Sequence, residues 1–190
     1  MHSTGEDMDW SIEHKKVVAQ TPVFQLEEVS LIQKEDGKPV PLPYYRLNTS
    51  SWVNVFALTP DSKAILVRQP RVGMMQMTLE CPGGGIDAEE DPALAAAREL
   101  EEETGYRAGR MEKVGVISPN PAIMTNRLYM FLARDCYLPP DRQHFPDLTE
   151  RIEVRTLSLD ELDATMKEGG IHNALAALTI LMSRRFLLND

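Results

Sequence analysis

Cysteine is scarce in this chain, cationic side chains are outnumbered, and long apolar runs are missing. Cys81 and Cys136 are the 2 cysteines among 190 residues, and neither sits in a Cys-x-x-Cys arrangement. That excludes a disulfide framework and points to structural thiols in a reducing compartment, so a cytoplasmic protein is expected. Lys and Arg number 20 against 29 Asp and Glu, a formal net charge of -9. Nothing supplies the basic stripe that nucleic acid or an anionic membrane surface requires, so neither is expected as a partner. An acidic chain that handles an anionic substrate must gather its cations locally. The longest apolar-rich stretch, Ala174 to Met182, is too short to span a bilayer, and the opening MHSTGEDMDW carries acids where a secretory signal would be apolar. No internal repeat or low-complexity tract is present.

What is there suffices for one domain with a sizeable core and an appended sub-structure: 43% of the residues are hydrophobic. From Trp10 to about Arg46, short β-like runs surround the turn-forming Asp36-Gly37, which predicts a small antiparallel sheet. A unit of that size is marginal alone, and packing against a second subunit is one remedy. The expected division is 1–48 as N-terminal strands, a dimerisation element, and 49–190 as the main domain. The main domain opens with WVNVFALT and AILVRQPR joined at Pro60-Asp61, a predicted hairpin, followed by MMQMTLE and the triplet Gly83-Gly84-Gly85. A helix is predicted from an Asp91 N-cap, with Pro92 in its first position, to Gly105 as a left-handed terminator. KVGVIS, RLYMFLARDCY and RIEVRTLSL read as strands. Two helices close the chain. The first has a capping box from Ser158 to Glu161, and the second runs from about His172 to Leu188 with Leu175, Leu178 and Met182 on its apolar face.

The chemistry is concentrated in GGIDAEEDPALAAARELEEETGY, residues 84 to 106. A helix turns about 100° per residue, so Glu99, Glu102 and Glu103 crowd a wedge of roughly 100° while Glu101 points nearly the opposite way. Like-charged neighbours cost about 0.2 to 0.5 kcal/mol per pair even when solvated. Divalent cations relieve that repulsion, and hard ions such as Mg²⁺ prefer carboxylate oxygens.

Gly84, then Glu90, then Arg98-Glu99-Leu100-Glu101-Glu102-Glu103-Thr104-Gly105 reproduce the spacing G-x5-E-x7-R-E-U-x-E-E-x-G-U, where U is bulky and apolar. The chain therefore resembles a Nudix hydrolase. Tyr106 stands at the last U, usually aliphatic, and an aromatic ring can pack there. The resemblance implies an α/β fold, the Nudix α/β/α sandwich with a mixed sheet, preceded here by the small antiparallel sheet. It implies a metal set of Gly83 (through its carbonyl), Glu99, Glu102 and Glu103, with Mg²⁺ as cofactor and Mn²⁺ as a substitute. Arg98 and Glu90 would hold the carboxylates in position, and Arg98 and Glu102 count among the catalytic residues.

Outside the box, LVRQPR, ECPGGGID, Pro121 in SPNPA and Glu150-Arg151-Ile152-Glu153-Val154 resemble the nucleoside-diphosphate-sugar branch, which includes ADP-ribose and GDP-mannose pyrophosphatases. That branch carries a catalytic glutamate on a mobile loop, which by position makes Glu150 the first candidate base and Glu153 the second. Arg68 and Arg71 are the expected phosphate holders, Trp10 and Trp52 candidate nucleobase stackers, and Glu80 a further substrate-binding residue. The expectation is thus a homodimeric hydrolase whose partner molecule is a small nucleotide sugar. Other diphosphates, such as dinucleoside polyphosphates or coenzyme A, and a non-hydrolysing ADP-ribose sensor are the alternatives. Ile123 and Met124 stand where diadenosine-polyphosphate members tend to carry tyrosine. SPNPAIMTNR departs from the SPG-with-glutamate form of many ADP-ribose pyrophosphatases, leaving GDP-mannose or broad activity open.

Overall fold

Both faces of the strand Trp52–Leu58 are apolar, and that requires a layer on each side. In the computed structural model, which describes residues 8–142 and 151–188, the strands run in order β1 (Trp10–Gln20), β2 (Gln25–Gln33), β3 (Tyr44–Asn48), β4 (Trp52–Leu58), β5 (Ala64–Arg71) and β6 (Gln76–Glu80), then β7 (Arg110–Ile117), β8 (Leu128–Arg134) and β9 (Glu153–Leu157). Helix α1 (Pro92–Thr104) lies between β6 and β7, and α2 (Leu159–Lys167) and α3 (Ala174–Leu187) follow β9. Val53, Val55 and Ala57 pack with Ala95, Ala96 and Leu100 of α1, whereas Phe56 and Leu58 pack with Leu162 of α2 and Ile180 of α3. The period of two along β4 thus separates two cores, and the expected α/β/α sandwich is present.

The chain divides into two compact units, one of residues 1–50 with 118–126 and one of 51–117 with 127–190. In the first, β1, β2 and β3 form an antiparallel sheet in that order. Val29 is buried there, as is Glu27, which pairs with Arg46 at 2.7 Å. Residues 118–126 join this unit through hydrogen bonds from Leu47 to Ile123 and from Thr125 to Leu47.

The second unit holds a mixed sheet of order β6-β5-β4-β8-β7, with β9 also paired to β5. β4 and β8 are parallel, the other pairs antiparallel. After β6 the chain docks on β4, with Pro82 and Gly84 accepting from the amides of Val55 and Val53 at 2.9 Å each. Gly83 passes so close to β4 that an added Cβ would collide with the Val53 carbonyl.

The helix termini are those predicted: Asp91 accepts from Ala93, Ser158 and Glu161 form the capping box, and Gly105 is left-handed at φ 77°. The last helix differs in detail. Its N-cap is Asn173, and its fully buried stripe is Ala176, Thr179, Ile180 and Ser183. Leu175, Leu178 and Met182 are half-buried beside it. Cys81 and Cys136 are free and buried. Burial pushes the Cys136 thiol up to about 11, and the Cys81 thiol higher still.

Candidate active site

The extended Gly83–Gly85 segment and helix α1 together organise the acidic cluster. Arg98 is its centre. Its Nε and Nη2 reach the two oxygens of Glu90 at 3.0 Å, Nη1 reaches Glu99 at 2.9 Å and Glu102 at 2.8 Å, and Nη2 also donates to the Gly85 carbonyl at 3.0 Å. The bonds to Glu90, the charge and bond of Glu99 and the bond to Glu102 outweigh partial burial and raise the already high guanidinium pKa further. A Cβ on Gly84 would lie 2.5 Å from Glu99 Oε1, so any side chain there would displace that carboxylate. Glu101, on the opposite side of the helix, is buried and paired with Arg107 at 3.1 Å. Arg142 donates to the carbonyls of Glu101 and Glu102 at 2.9 and 2.8 Å, which satisfies acceptors in the last turn of α1.

Glu103 accepts from the amide of Gly83 at 2.8 Å. In extended backbone the N–H and C=O of one residue face the same way. The neighbouring carbonyls of Pro82 and Gly84 are turned to β4. Among the described residues no three acidic, thiol or imidazole side chains converge on one point as a ready metal cage. In this arrangement Arg98 supplies the countercharge to Glu99 and Glu102. Glu99, Glu102 and Glu103 nonetheless lie within little more than one turn of α1, and their carboxylate oxygens are the hard donors that Mg²⁺ or Mn²⁺ takes.

Beside the glycine segment lies a cavity of about 300 Å³, whose wall includes Trp52, Arg71, Glu80 and Asn173. Glu80 is 2% exposed. Arg71 binds it through Nε and Nη2 at 2.9 Å each, Thr78 donates to it, and Asn173 donates at 2.5 Å. Burial pushes the Glu80 carboxyl up, but the bonds from Arg71 and Thr78, the Arg71 charge and the Asn173 bond outweigh it, and the pKa falls below the usual carboxylate value.

Of the residues singled out from sequence, Trp52, Arg71, Glu80 and Gly83 therefore share one cavity. Arg68 does not join them. Three residues from Arg71 on the same strand, it faces the other way and lines a second cavity with Arg151 and Glu153. It pairs with Glu153 at 3.3 Å. Hydrogen bonds from Arg155 and Arg68 hold the exposed Glu153 carboxyl below its usual range. Trp10 belongs to the N-terminal unit, where it packs on Tyr44 with ring centroids 5.7 Å apart. Glu150 lies outside the described residues. Asn173 and Arg142 were not singled out from sequence. An asparagine preceding the apolar run ALAAL is an N-cap signal, but nothing in the sequence announces its bond to Glu80, 93 residues away.

The NUDIX domain pattern matches residues 50–178. The chain is similar to the ADP-ribose pyrophosphatase of Bacillus subtilis (strain 168), 30% identical over 128 residues that make up 67% of this chain and 69% of that protein. It is also similar to the ADP compounds hydrolase NudE of Escherichia coli (strain K12), 29% identical over 123 residues, 64% of each chain. A crystal structure of an ADP compounds hydrolase shares the fold, with a TM-score of 0.81 over 98% of each chain at 23% identity. With its glutamate helix, its arginine-centred cluster and these likenesses, the chain belongs to the Nudix hydrolase family and is a Nudix pyrophosphohydrolase.

Proposed function

We propose that this protein hydrolyses the diphosphate bond of a nucleoside diphosphate sugar of the ADP-ribose type, releasing a nucleoside monophosphate and a sugar phosphate, in a reaction that requires Mg²⁺ or Mn²⁺. The observation that carries the reading is the shared use of Gly83–Gly85. The same three residues line the cavity and bind the acidic cluster, through Gly83 to Glu103 and through Gly85 to Arg98. A substrate in the cavity thus meets the carboxylates across one short segment. The names of the relatives, an ADP-ribose pyrophosphatase and an ADP compounds hydrolase, favour an ADP derivative. GDP-mannose is the second sugar nucleotide to test.

The cation, when bound by Glu99, Glu102, Glu103 and the Gly83 carbonyl, would supply charge neutralisation at the diphosphate and an acidified water. The protein's own groups do the rest. Arg98 keeps the carboxylates from spreading apart, and Arg71 is placed to hold phosphate oxygens at the cavity wall. The indole of Trp52 offers a face for the nucleobase. Glu150 and Glu153 are the candidate proton acceptors. The pairing of Glu153 with Arg155 and Arg68 lowers its basicity and favours Glu150. The two buried free thiols fit a cytoplasmic setting. Among the described residues no helix is long and apolar enough to cross a membrane. The N-terminal strands, 1–48, serve in this reading as the contact between two copies in a homodimer.

The deciding assay offers ADP-ribose, GDP-mannose, a dinucleoside polyphosphate and coenzyme A with either metal and identifies the products. Release of AMP and ribose 5-phosphate from ADP-ribose is expected. No cleavage of any of them under either metal overturns the reading. Glu103→Gln should lower kcat by more than about 100-fold, the upper end of the loss seen for groups that merely support a metal ligand, with the circular dichroism spectrum unchanged.

A further inference from the structure

Asn173 performs two tasks with two different atoms. Its Oδ1 accepts from the amides of Leu175 at 2.9 Å and Ala176 at 3.3 Å, capping α3. Its Nδ2 donates to Glu80 Oε2 at 2.5 Å. Glu80 is inaccessible, but the Arg71 side chain bound to its other side is 45% exposed. A bidentate guanidinium and carboxylate share one plane. Whatever fixes the plane of Glu80 therefore fixes the plane of Arg71. Thr78 holds one carboxylate oxygen and Asn173 the other, so the carboxylate cannot turn about its own bond without breaking one of them. Nε and Nη2 of Arg71 face Glu80, and the planar geometry then points Nη1 away from it.

We propose that Asn173 is a positioning residue for substrate binding: acting through Glu80, it sets the guanidinium of Arg71 at the cavity wall, where the anionic oxygens of the nucleotide are held. The inference rests on the reading of Arg71 as a phosphate holder given above. It makes the N-terminal turn of α3 part of the binding machinery, although α3 contributes no charge to the cavity. Capping and positioning are separable because they use opposite ends of one amide.

The test compares the wild-type protein with Asn173→Ser, Asn173→Asp, Arg71→Ala and the double variant Arg71→Ala/Asn173→Ser. Serine and aspartate keep an oxygen able to cap α3 and lose the amide donor. Hydrolysis of ADP-ribose with Mg²⁺ gives KM and kcat, calorimetric binding of ADP compares the same proteins without turnover, and thermal melting monitors the cap. KM for Asn173→Ser is expected to rise about tenfold with kcat within about twofold, the weight of one hydrogen bond to a charged group. Asn173→Asp should be at least as impaired. Adding Asn173→Ser to Arg71→Ala should change KM by less than about twofold, since no guanidinium is left to place. Wild-type KM and ADP affinity in both capped variants, or a second full increase in the double variant, overturns the proposal. Wild-type values for Arg71→Ala have a different meaning: the phosphate-holding reading of Arg71 fails, and the proposal falls with it.

Discussion

Arg98 donates to three carboxylates and a backbone carbonyl, and its side chain is only 21% exposed. Removing it leaves Glu90, Glu99 and Glu102 crowded without their shared cation. Arg98→Met is expected to cost about 2 to 4 kcal/mol, since breaking a largely buried pair strands the remaining charges, as read from urea unfolding. Added Mg²⁺ should recover part of that loss if these carboxylates bind the ion, and no recovery at any concentration would count against the metal assignment. Glu80 gives a pH signature of known sign. Its folded pKa lies below the ordinary 4.5, so its contribution is complete above about pH 4.5 and is lost as pH falls through the lower folded value. Glu80→Gln should therefore flatten the acid limb of stability against pH below about pH 4.5. An acid limb as steep as that of the wild type would remove Glu80 as its source. The residue types at both places were legible in the sequence, Arg98 by its fixed offset and Glu80 by its motif. The bond from Glu80 to Asn173 was not, because no local pattern encodes a contact made across two elements.

Helix α1 carries the glutamates proposed to bind the metal, and its limits follow from local chemistry. Asp91 supplies the cap and Pro92 tolerates the first position. At the other end, Gly105 takes a left-handed φ of 77° that a side chain would resist. What α1 faces is decided by the glycine segment. Gly84 does not adopt a positive φ, so Gly84→Ala should strain the backbone little, yet its Cβ would displace the Glu99 carboxylate. A drop in kcat of about 10- to 100-fold with little change in melting temperature is expected. Unchanged kcat would show that the position of Glu99 is not critical. The strands were readable because β4 and β5 are apolar and bounded by the Pro60-Asp61 turn. The buried stripe of α3 was not, because Thr179 and Ser183, polar residues that periodicity assigns to no apolar face, are buried in it beside Ala176 and Ile180.

For the molecule as a whole, the N-terminal sheet presents Ile12, Val17, Val18, Tyr44 and Tyr45 as exposed residues. A three-stranded unit with so much uncovered apolar surface is poorly self-sufficient. Sedimentation should give twice the chain mass, and Val17→Asp with Val18→Asp should lower it toward the monomer. A monomeric wild-type protein would dismiss the dimer. The sequence by itself determined the ends of α1, the capping box of α2, the strands β4 and β5 and the one-sided glutamates of α1, because capping, strand period and helical period act between residues close in the chain. Only the tertiary structure decided which side chains meet. It sent Arg68 to Glu153 and Arg71 to Glu80, joined the Gly83 amide to Glu103, and brought the cap of the last helix to the cavity wall. Such meetings depend on strand register and on packing between distant elements, and those are settled by burial of the whole core.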